Sequence, residues 1–403
     1  MTLNTAMKTS APSAIFSSVT EVREASWNDV VGATPTAQYG SLKTFESNST
    51  MGAQPIYFAL GGAEHPTAVA IGYLATDITH YAQLVRPLLG RATRLAPTLV
   101  RMLGPTLVLA LRPSYGSPIL ADSRRSQREQ EALLNELLDT IENYAGEQGL
   151  SLAVVGTTPR DRAINHVLRK HVFLETQSYP TAELEVSWNS WDGYLMHLKA
   201  GRRKTIRRES AVFDGAGFRI RALDLSEPIP QNLYTLFQEH YQRKNRRPAP
   251  YNEKFLEDLR RNLPNNSRIY VAEMEDRTVG FMAALWKDQT VAAVFIGIGD
   301  DAREQNIFAY FNFIYEMVRD APALGWKRIH FGSTAYDAKR SRGSTISPAG
   351  LFLRPAGRLS RLVGGPAIAA HRYWYERKFR HLFATGHHVS AQDIGVPNVD
   401  EYD

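Results

Sequence analysis

The chain has 403 residues, 43% of them hydrophobic and 22% charged, which is the balance of an ordinary soluble protein with enough material for two domains. It contains no cysteine, and this excludes disulfides, a thiol nucleophile and any cysteine-ligated zinc or iron–sulfur site. The formal net charge is +6, and most of the excess is concentrated after residue 198.

The first twelve residues are rich in Thr, Ser and Ala without periodicity and read as disordered. Met1–Ser18 lacks an apolar run of signal-peptide length, and no run reaches the roughly 18 apolar residues of a membrane span. The expected location is therefore the cytoplasm. Ala14–Val22 reads as a first strand, Trp27–Val31 as a short helix and Gly40–Ser49 as a helix end or loop. Two hairpin strands follow, Ile56–Leu60 and Ala68–Leu74. Ala82–Leu103 reads as an irregular, partly helical insertion rich in Leu, Arg and Pro. A strand over Thr106–Leu111 leads into Tyr115–Pro118. A polar helix over Gln127–Glu147, a strand over Leu152–Val155 and a closing strand over Ala182–Val186 complete a first unit.

Ser187–Ser210 connects it to a second. Trp191, Tyr194, Leu195 and Leu198 recur at the spacing of an amphipathic helix, with Ser190 as its N-cap. Gly201 marks a break, and a second helical run carries Arg203, Ile206 and Arg207. Then come a strand over Phe218–Leu225, helices over Gln231–Arg243 and Asn252–Asn262, and hairpin strands over Arg268–Ala272 and Thr278–Leu285. A strand over Thr290–Gly297, a helix over Arg303–Arg319 and a strand over Arg328–Phe331 repeat the order met in the first unit. After Phe331 the sequence is basic and loop-like to Arg361. A last amphipathic helix covers Pro366–Phe383, and Val389–Asp403 reads as a tail. A strand, hairpin, strand, helix, strand plan that occurs twice implies two related domains rather than a solenoid, whose repeats are much shorter. The predicted boundaries are a disordered 1–13, a first domain 14–188, a basic linker 189–210, a second domain 211–385 and a tail 386–403. A site is expected in or beside the groove between the copies.

Basic residues crowd three stretches. Lys199, Arg202, Arg203, Lys204, Arg207 and Arg208 form the first; Arg243, Lys244, Arg246 and Arg247 the second. Lys339, Arg340, Arg342, Arg354, Arg358 and Arg361 form the third, with no acid between them. Such clusters are either solvated surface or a field for a polyanion, and three of them favour the polyanion. G-x-S-x-G, P-loop and H-E-x-x-H signatures are absent. The adjacent His387 and His388 lie at the edge of the tail, and no metal site is expected. Gly297 and Gly299 form a G-x-G after a strand, too short for a dinucleotide fingerprint.

The order of elements in each copy resembles the Gcn5-related N-acetyltransferase (GNAT) fold, and its doubling resembles the Fem-type, FemAB-like acyl and aminoacyl transferases. Three stretches carry the resemblance across nearly the whole chain. Trp191–Leu198 followed by Gly201–Glu209 is similar to the family's W-x-x-Y-x-x-x-L and R-x-x-x-R-R linker. His240–Lys244 with Pro250 and Tyr251 is similar to the helix and P-Y segment early in the second domain. His330–Gly343 is similar to the F-G…K-x-x-x-G segment after the fifth strand of that domain. The implied fold class is α/β (α+β): two tandem GNAT-like domains, each a mixed, largely antiparallel sheet flanked by helices.

The resemblance implies amide formation between an activated acyl donor and an amine. The donor is acyl-CoA, with aminoacyl-tRNA as the alternative, and no cofactor is permanently bound. Lys339 matches the lysine that would stabilise a tetrahedral oxyanion; it and Tyr336 are the candidate catalytic residues, and Tyr336, Phe331 and Gly332 would shape the pocket. Arg203, Arg207 and Arg208 match the basic linker, expected at the interdomain groove. His240, Tyr251, Gly297 and Gly343 complete the candidate binding residues. Bland readings stand beside these: Lys339 as a surface lysine, His240 and Tyr241 as packing residues, Tyr336 as core, Gly343 as a turn glycine. Where many relatives carry an aromatic residue this chain has Arg342, which leaves the acceptor open. No coiled-coil arm like that of some peptidoglycan-bridge enzymes is evident. A catalytically silent RNA- or lipid-binding protein is the reading from another class, with the basic second half as its anionic-surface contact.

Overall fold

The computed structural model describes residues 13–50, 52–75, 105–112, 116–246, 248–300 and 308–383. The predicted N-terminal disorder, the C-terminal tail and the insertion Ala82–Leu103 lie outside these residues.

The first half opens with β1 (Ser13–Phe16), α1 (Glu24–Val30) and α2 (Tyr39–Asn48). The hairpin strands β2 (Gln54–Leu60) and β3 (Ala68–Ala75) follow, then β4 (Thr106–Leu109) and the short β5 (Ile119–Ala121). Helix α3 (Gln127–Glu147) starts where Ser126 and Glu129 form a reciprocal capping box. It buries Leu134, Leu137, Leu138, Ile141 and Ala145, an apolar stripe at helical spacing. Strand β6 (Ser151–Thr157), helix α4 (Arg162–Lys170) and strand β7 (Leu174–Glu185) end the half. Two helices connect, α5 (Trp191–Met196) and α6 (Ala200–Gly215).

The second half repeats the plan with β8 (Phe218–Ala222), α7 (Leu233–Asn245), α8 (Phe255–Asn262), β9 (Ser267–Met274), β10 (Arg277–Lys287), β11 (Thr290–Ile298), α9 (Ala309–Asp320) and β12 (Arg328–Gly332). Helix α10 (Tyr336–Arg340), strand β13 (Thr345–Arg354) and helix α11 (Arg358–Phe383) finish the chain. The repeat is larger than the sequence indicates: in both halves a strand and two helices precede the hairpin.

Each half contains one parallel pair, β4 with β6 and β11 with β12, joined through α3 and α9 respectively. The remaining pairings are antiparallel. All strands belong to one sheet in the order β1-β2-β3-β4-β6-β13-β7-β12-β11-β10-β9-β8, with β5 beside β3. Strand β13 of the second half therefore lies between β6 and β7 of the first, and β7 lies against β12. The two halves exchange their last strands across the sheet centre, and a boundary drawn at 188 runs through continuous hydrogen bonding. The basic stretch after Phe331, expected as loop, contains α10 and β13. Pro348 sits where the β13 register against β7 shifts, between Ser347 and Ala349. A bulge is where a central strand tolerates a residue without an N–H.

In the first half, one core packs β2–β6 onto α3 and α4, and another packs them onto α1 and α2. In the second, one core faces α5, α6 and α9, and the other faces α7 and α8. Phe45 of α2 crosses into this last core, where its ring meets Tyr251 and Phe295. No helix among the described residues is long and apolar enough to cross a membrane.

Candidate functional site

The parallel pair β11–β12 runs together only from Thr290/Arg328 to Ala292/His330. Beyond that point β11 continues to Ile298 with β10 while β12 continues to Gly332 with β7, so the two strands part at their carboxyl ends. The crossover from β11 to β12 runs through α9, so that helix begins from the same edge. Ligands of open α/β sheets bind at such a position, outside the carboxyl ends of parallel strands.

The end of β12 is shaped by a bulge. His330 pairs with Glu183, the register then shifts, and Gly332 pairs with Ala182. Gly332 takes φ 72°, a conformation that favours glycine. The carbonyls released by the bulge are met by Lys339, whose Nζ donates to Phe331 O at 2.7 Å and Gly332 O at 3.4 Å. Lys339 is 1% exposed, which rules out the surface-lysine reading. With only neutral carbonyls around it, burial lowers its pKa from 10.5 to about 7. Its ammonium braces the strand end rather than facing open space.

Two strand faces alternate here. Ile329 and Phe331 face the α5–α6–α9 core. Arg328 and His330 face the other way, as do Glu183 and Glu185 on β7, whose neighbours Ala182 and Leu184 are in that core. His330 Nδ1 lies 3.3 Å from a Glu183 carboxylate oxygen, and Arg160 Nη2 lies 3.6 Å from the other oxygen. Burial raises the Glu183 pKa, while burial and then Arg328 and Arg160 lower that of His330 to about 4. Neither residue stood out in the sequence as a pair. They are 147 positions apart (330 − 183), and only the strand exchange brings them together.

Behind the opposite face lies a second buried group. Arg342 donates through Nη2 to Glu209 at 2.6 Å and through Nε to the Tyr315 hydroxyl at 2.7 Å, and Tyr315 in turn donates to Glu209. The Arg342 guanidinium also covers the Phe311 ring at 3.6 Å. Tyr194 donates to the Arg342 carbonyl at 2.9 Å. The group locks linker helix α6 onto α9 and onto the turn after α10. Arg202 stands close by, its pKa lowered by burial and then by Arg342.

The candidate residues fall into two sets. Phe331, Gly332, Tyr336, Lys339 and Gly343 gather around the end of β12 and α10. Tyr336 is core: its hydroxyl donates to Pro180 O at 3.0 Å and its ring meets Phe379, so a direct chemical role does not fit its burial. Gly343 takes φ +92° and lies under Leu184 and Leu198, a turn glycine as the bland reading has it. Arg203 joins this set through Leu198, whose carbonyl accepts from its Nη1 at 2.6 Å. Arg207 and Arg208 are exposed on α6.

His240, Tyr251 and Gly297 belong to the α7–α8 side. His240 is half-buried on α7. Tyr251 is buried among Phe45, Phe255 and Phe295; burial raises its pKa, and Tyr73 of the first half adds to that. Gly297 is a packing glycine rather than a ligand contact: a Cβ there would lie 2.7 Å from the Leu236 carbonyl carbon and 2.8 Å from the Phe237 nitrogen.

The third basic stretch is not a uniform ligand-facing patch. Lys339 and Arg342 are buried, Arg340 pairs with Asp337 at 2.7 Å, and Arg354 pairs with Glu142. In the second stretch Arg243 pairs with Asp300 at 2.8 Å. Among the described residues Asp139, Glu142 and His171 come close enough to hold a metal, but Arg354 already engages Glu142.

Residues 200–340 match the family model described as an acetyltransferase (GNAT) domain. That segment spans α6 to α10 and so contains the diverging strands, the bulge and Lys339. The fold of the whole chain is similar to that of FemX, with a TM-score of 0.57 over 87% of this chain and 99% of that one at 10% identity. It is also similar to the C-terminal domain of a protein named as a lysylphosphatidylglycerol synthetase from Agrobacterium fabrum, with a TM-score of 0.54 over 87% and 96% at 10% identity. A conserved protein of unknown function from Bacteroides thetaiotaomicron gives 0.52 over 82% and 95% at 11% identity. A search of curated protein sequences finds no match. The molecule is a doubled GNAT fold. Residues 200–340 are a GNAT domain, and the chain as a whole shares its fold with FemX.

Proposed function

We propose that the protein is an N-acyltransferase that moves an acyl group from a thioester of coenzyme A to an amine, forming an amide. The observation that carries this reading is the parallel pair β11–β12, which parts after Ala292 and His330 inside the segment matching the acetyltransferase domain. An extended donor laid between the parting strands would run along the backbones of both. Its carbonyl then sits near the bulge at Phe331 and Gly332, and proximity supplies much of the catalysis. In this reading Lys339 positions the strand end, and the exposed Arg207 and Arg208 give the donor's phosphates a cationic approach.

A second reading keeps the chemistry and changes the donor to an aminoacyl-tRNA. It is supported by the fold shared with FemX and by the exposed arginines of α6. Calorimetric titration of acetyl-CoA and of a charged tRNA pool at near-physiological salt separates the two. Micromolar acetyl-CoA binding supports the first. Binding of charged tRNA alone, lost on deacylation and abolished by RNase, supports the second. Binding of RNA regardless of charging, falling steeply with salt, identifies a non-catalytic binder.

A further inference from the structure

We propose that His330, oriented by Glu183, receives the proton that the acceptor amine loses during acyl transfer. The proposal rests on the acyl-transfer reading above and adds the base that the sequence does not reveal.

The geometry is specific. His330 is the last residue of β12 still paired with β11, so it stands where the strands part. Its ring lies on the face opposite Phe331 and the α9 core. Glu183 is its cross-strand partner on β7, and the carboxylate faces Nδ1 at 3.3 Å. A carboxylate 3.3 Å from Nδ1 favours the tautomer that carries its proton on that nitrogen, and the lone pair then stays on Nε2. The bulge that Lys339 braces begins at the next residue, so the orientation of the ring is set by the strand that carries it.

The charged groups around the pair are Glu185 on β7, Arg328 on β12, and Arg160 and Asp161 on the turn between β6 and α4. Arg160 Nη2 is 2.7 Å from Glu185 and 3.6 Å from Glu183, which leaves the inner carboxylate to the imidazole. Burial disfavours the charged forms of both partners, raising Glu183 and lowering His330, so the ring is neutral before the amine arrives. An incoming proton from the amine converts the imidazole to imidazolium against the Glu183 carboxylate.

The step balances as follows. The amine nitrogen forms a bond to the thioester carbonyl carbon, and the carbonyl π pair moves to oxygen. The nitrogen's surplus proton passes to His330 Nε2. Collapse of the intermediate breaks the C–S bond, the sulfur leaves with the electron pair, and the proton on His330 passes to the thiolate or to water. Glu183 acts only through the ring and is a positioning residue.

The test uses the full-length protein with acetyl-CoA, a panel of primary alkylamines, and hydroxylamine, whose adduct nitrogen is acidic enough to lose its proton to water without a base. His330→Gln is expected to lower kcat/KM for alkylamines by about 10²–10⁴-fold and to leave hydroxylamine turnover within about tenfold, the signature of a lost base. Glu183→Gln is expected to move the pH profile and spare acetyl-CoA binding. Equal loss with both kinds of amine, or no loss, overturns the proposal while wild-type turnover keeps the acyltransfer reading. Histidine ring ¹⁵N spectra give a second readout independent of any acceptor. A neutral Nδ1–H ring between pH 6 and 8 is expected, and an Nε2–H ring or an imidazolium overturns the proposal whatever the activity. A wild-type protein inert toward acetyl-CoA and charged tRNA alike removes the acyl-transfer reading itself, and with it the proton His330 would receive.

Discussion

Glu209 on α6 and Arg342 after α10 meet at 2.6 Å inside the protein, 133 residues apart in sequence. Both are nearly inaccessible to solvent. Their contact joins the linker between the halves to the turn that follows Lys339. A buried pair of this kind is weakly stabilising as a whole but costly to break on one side, because the survivor is left charged in an apolar surround. Glu209→Ala is expected to lower unfolding free energy by about 3–5 kcal/mol in urea titrations. Glu209→Ala combined with Arg342→Met is expected to recover much of the loss. A double variant as unstable as the sum of its parts would mean that the two residues do not act as a pair.

Lys339 makes stability depend on pH in the alkaline range. Its pKa is lowered from 10.5 to about 7, so between these values the unfolded chain binds a proton that the folded protein does not. Stability then rises with pH at up to about 1.4 kcal/mol per unit across that window, and the burial penalty is fully present below it. Lys339→Met is expected to flatten this slope, with its most favourable effect at pH 6. Unfolding midpoints of both proteins at pH 6, 8 and 10 provide the check.

Gly297 separates packing from binding. A methyl group there meets the backbone of α7 at Leu236 and Phe237, which cannot move like a side-chain tip. Gly297→Ala is expected to destabilise the protein by about 1–3 kcal/mol, as overpacking does. Acetyl-CoA affinity measured below the melting transition should change little. A large loss of affinity with unchanged stability would return Gly297 to the donor site.

The strand exchange predicts how the chain tolerates cutting. Residues 13–188 alone lack β13, so β6 and β7 both lose a neighbour, while 189–383 alone has β13 without either of its partners. Neither fragment is expected to give a cooperative melting transition by itself, and co-expression is expected to recover a folded complex. Two independently cooperative fragments would contradict the shared sheet.

Much of the fold was legible because its signals are local. The capping box and apolar stripe define α3, and the apolar runs of β2, β3, β9, β10 and β11 bounded by turns define strands. Strand β13 was not legible: Thr345–Arg354 carries Pro348 and Gly350 between basic segments. It becomes a strand because β6 and β7 offer it two edges, a tertiary cause that propensity does not contain. Helix α4 was missed for a related reason, being nine residues long with its stripe at Ile164, Val167 and Leu168. At the site, the K-x-x-x-G pattern pointed to Lys339, but its burial follows from the bulge at Phe331 and Gly332. Glu209 and Glu183 were each one acid among many until their partners arrived from distant strands and turns.

The exchange also fixes an order of events during synthesis. Strands β6 and β7 are complete once residue 185 has emerged, but the strand that fills the space between them ends at Arg354. For that interval two hydrogen-bonding edges of the first half face outward together, the arrangement most open to pairing with another chain. A ribosome adding about 5–20 residues per second would keep them exposed for about 8–34 seconds. The protein's yield in a cell is thereby tied to how fast residues 186–354 are made, and a pause within that stretch would cost more folded product than an equal pause before residue 150.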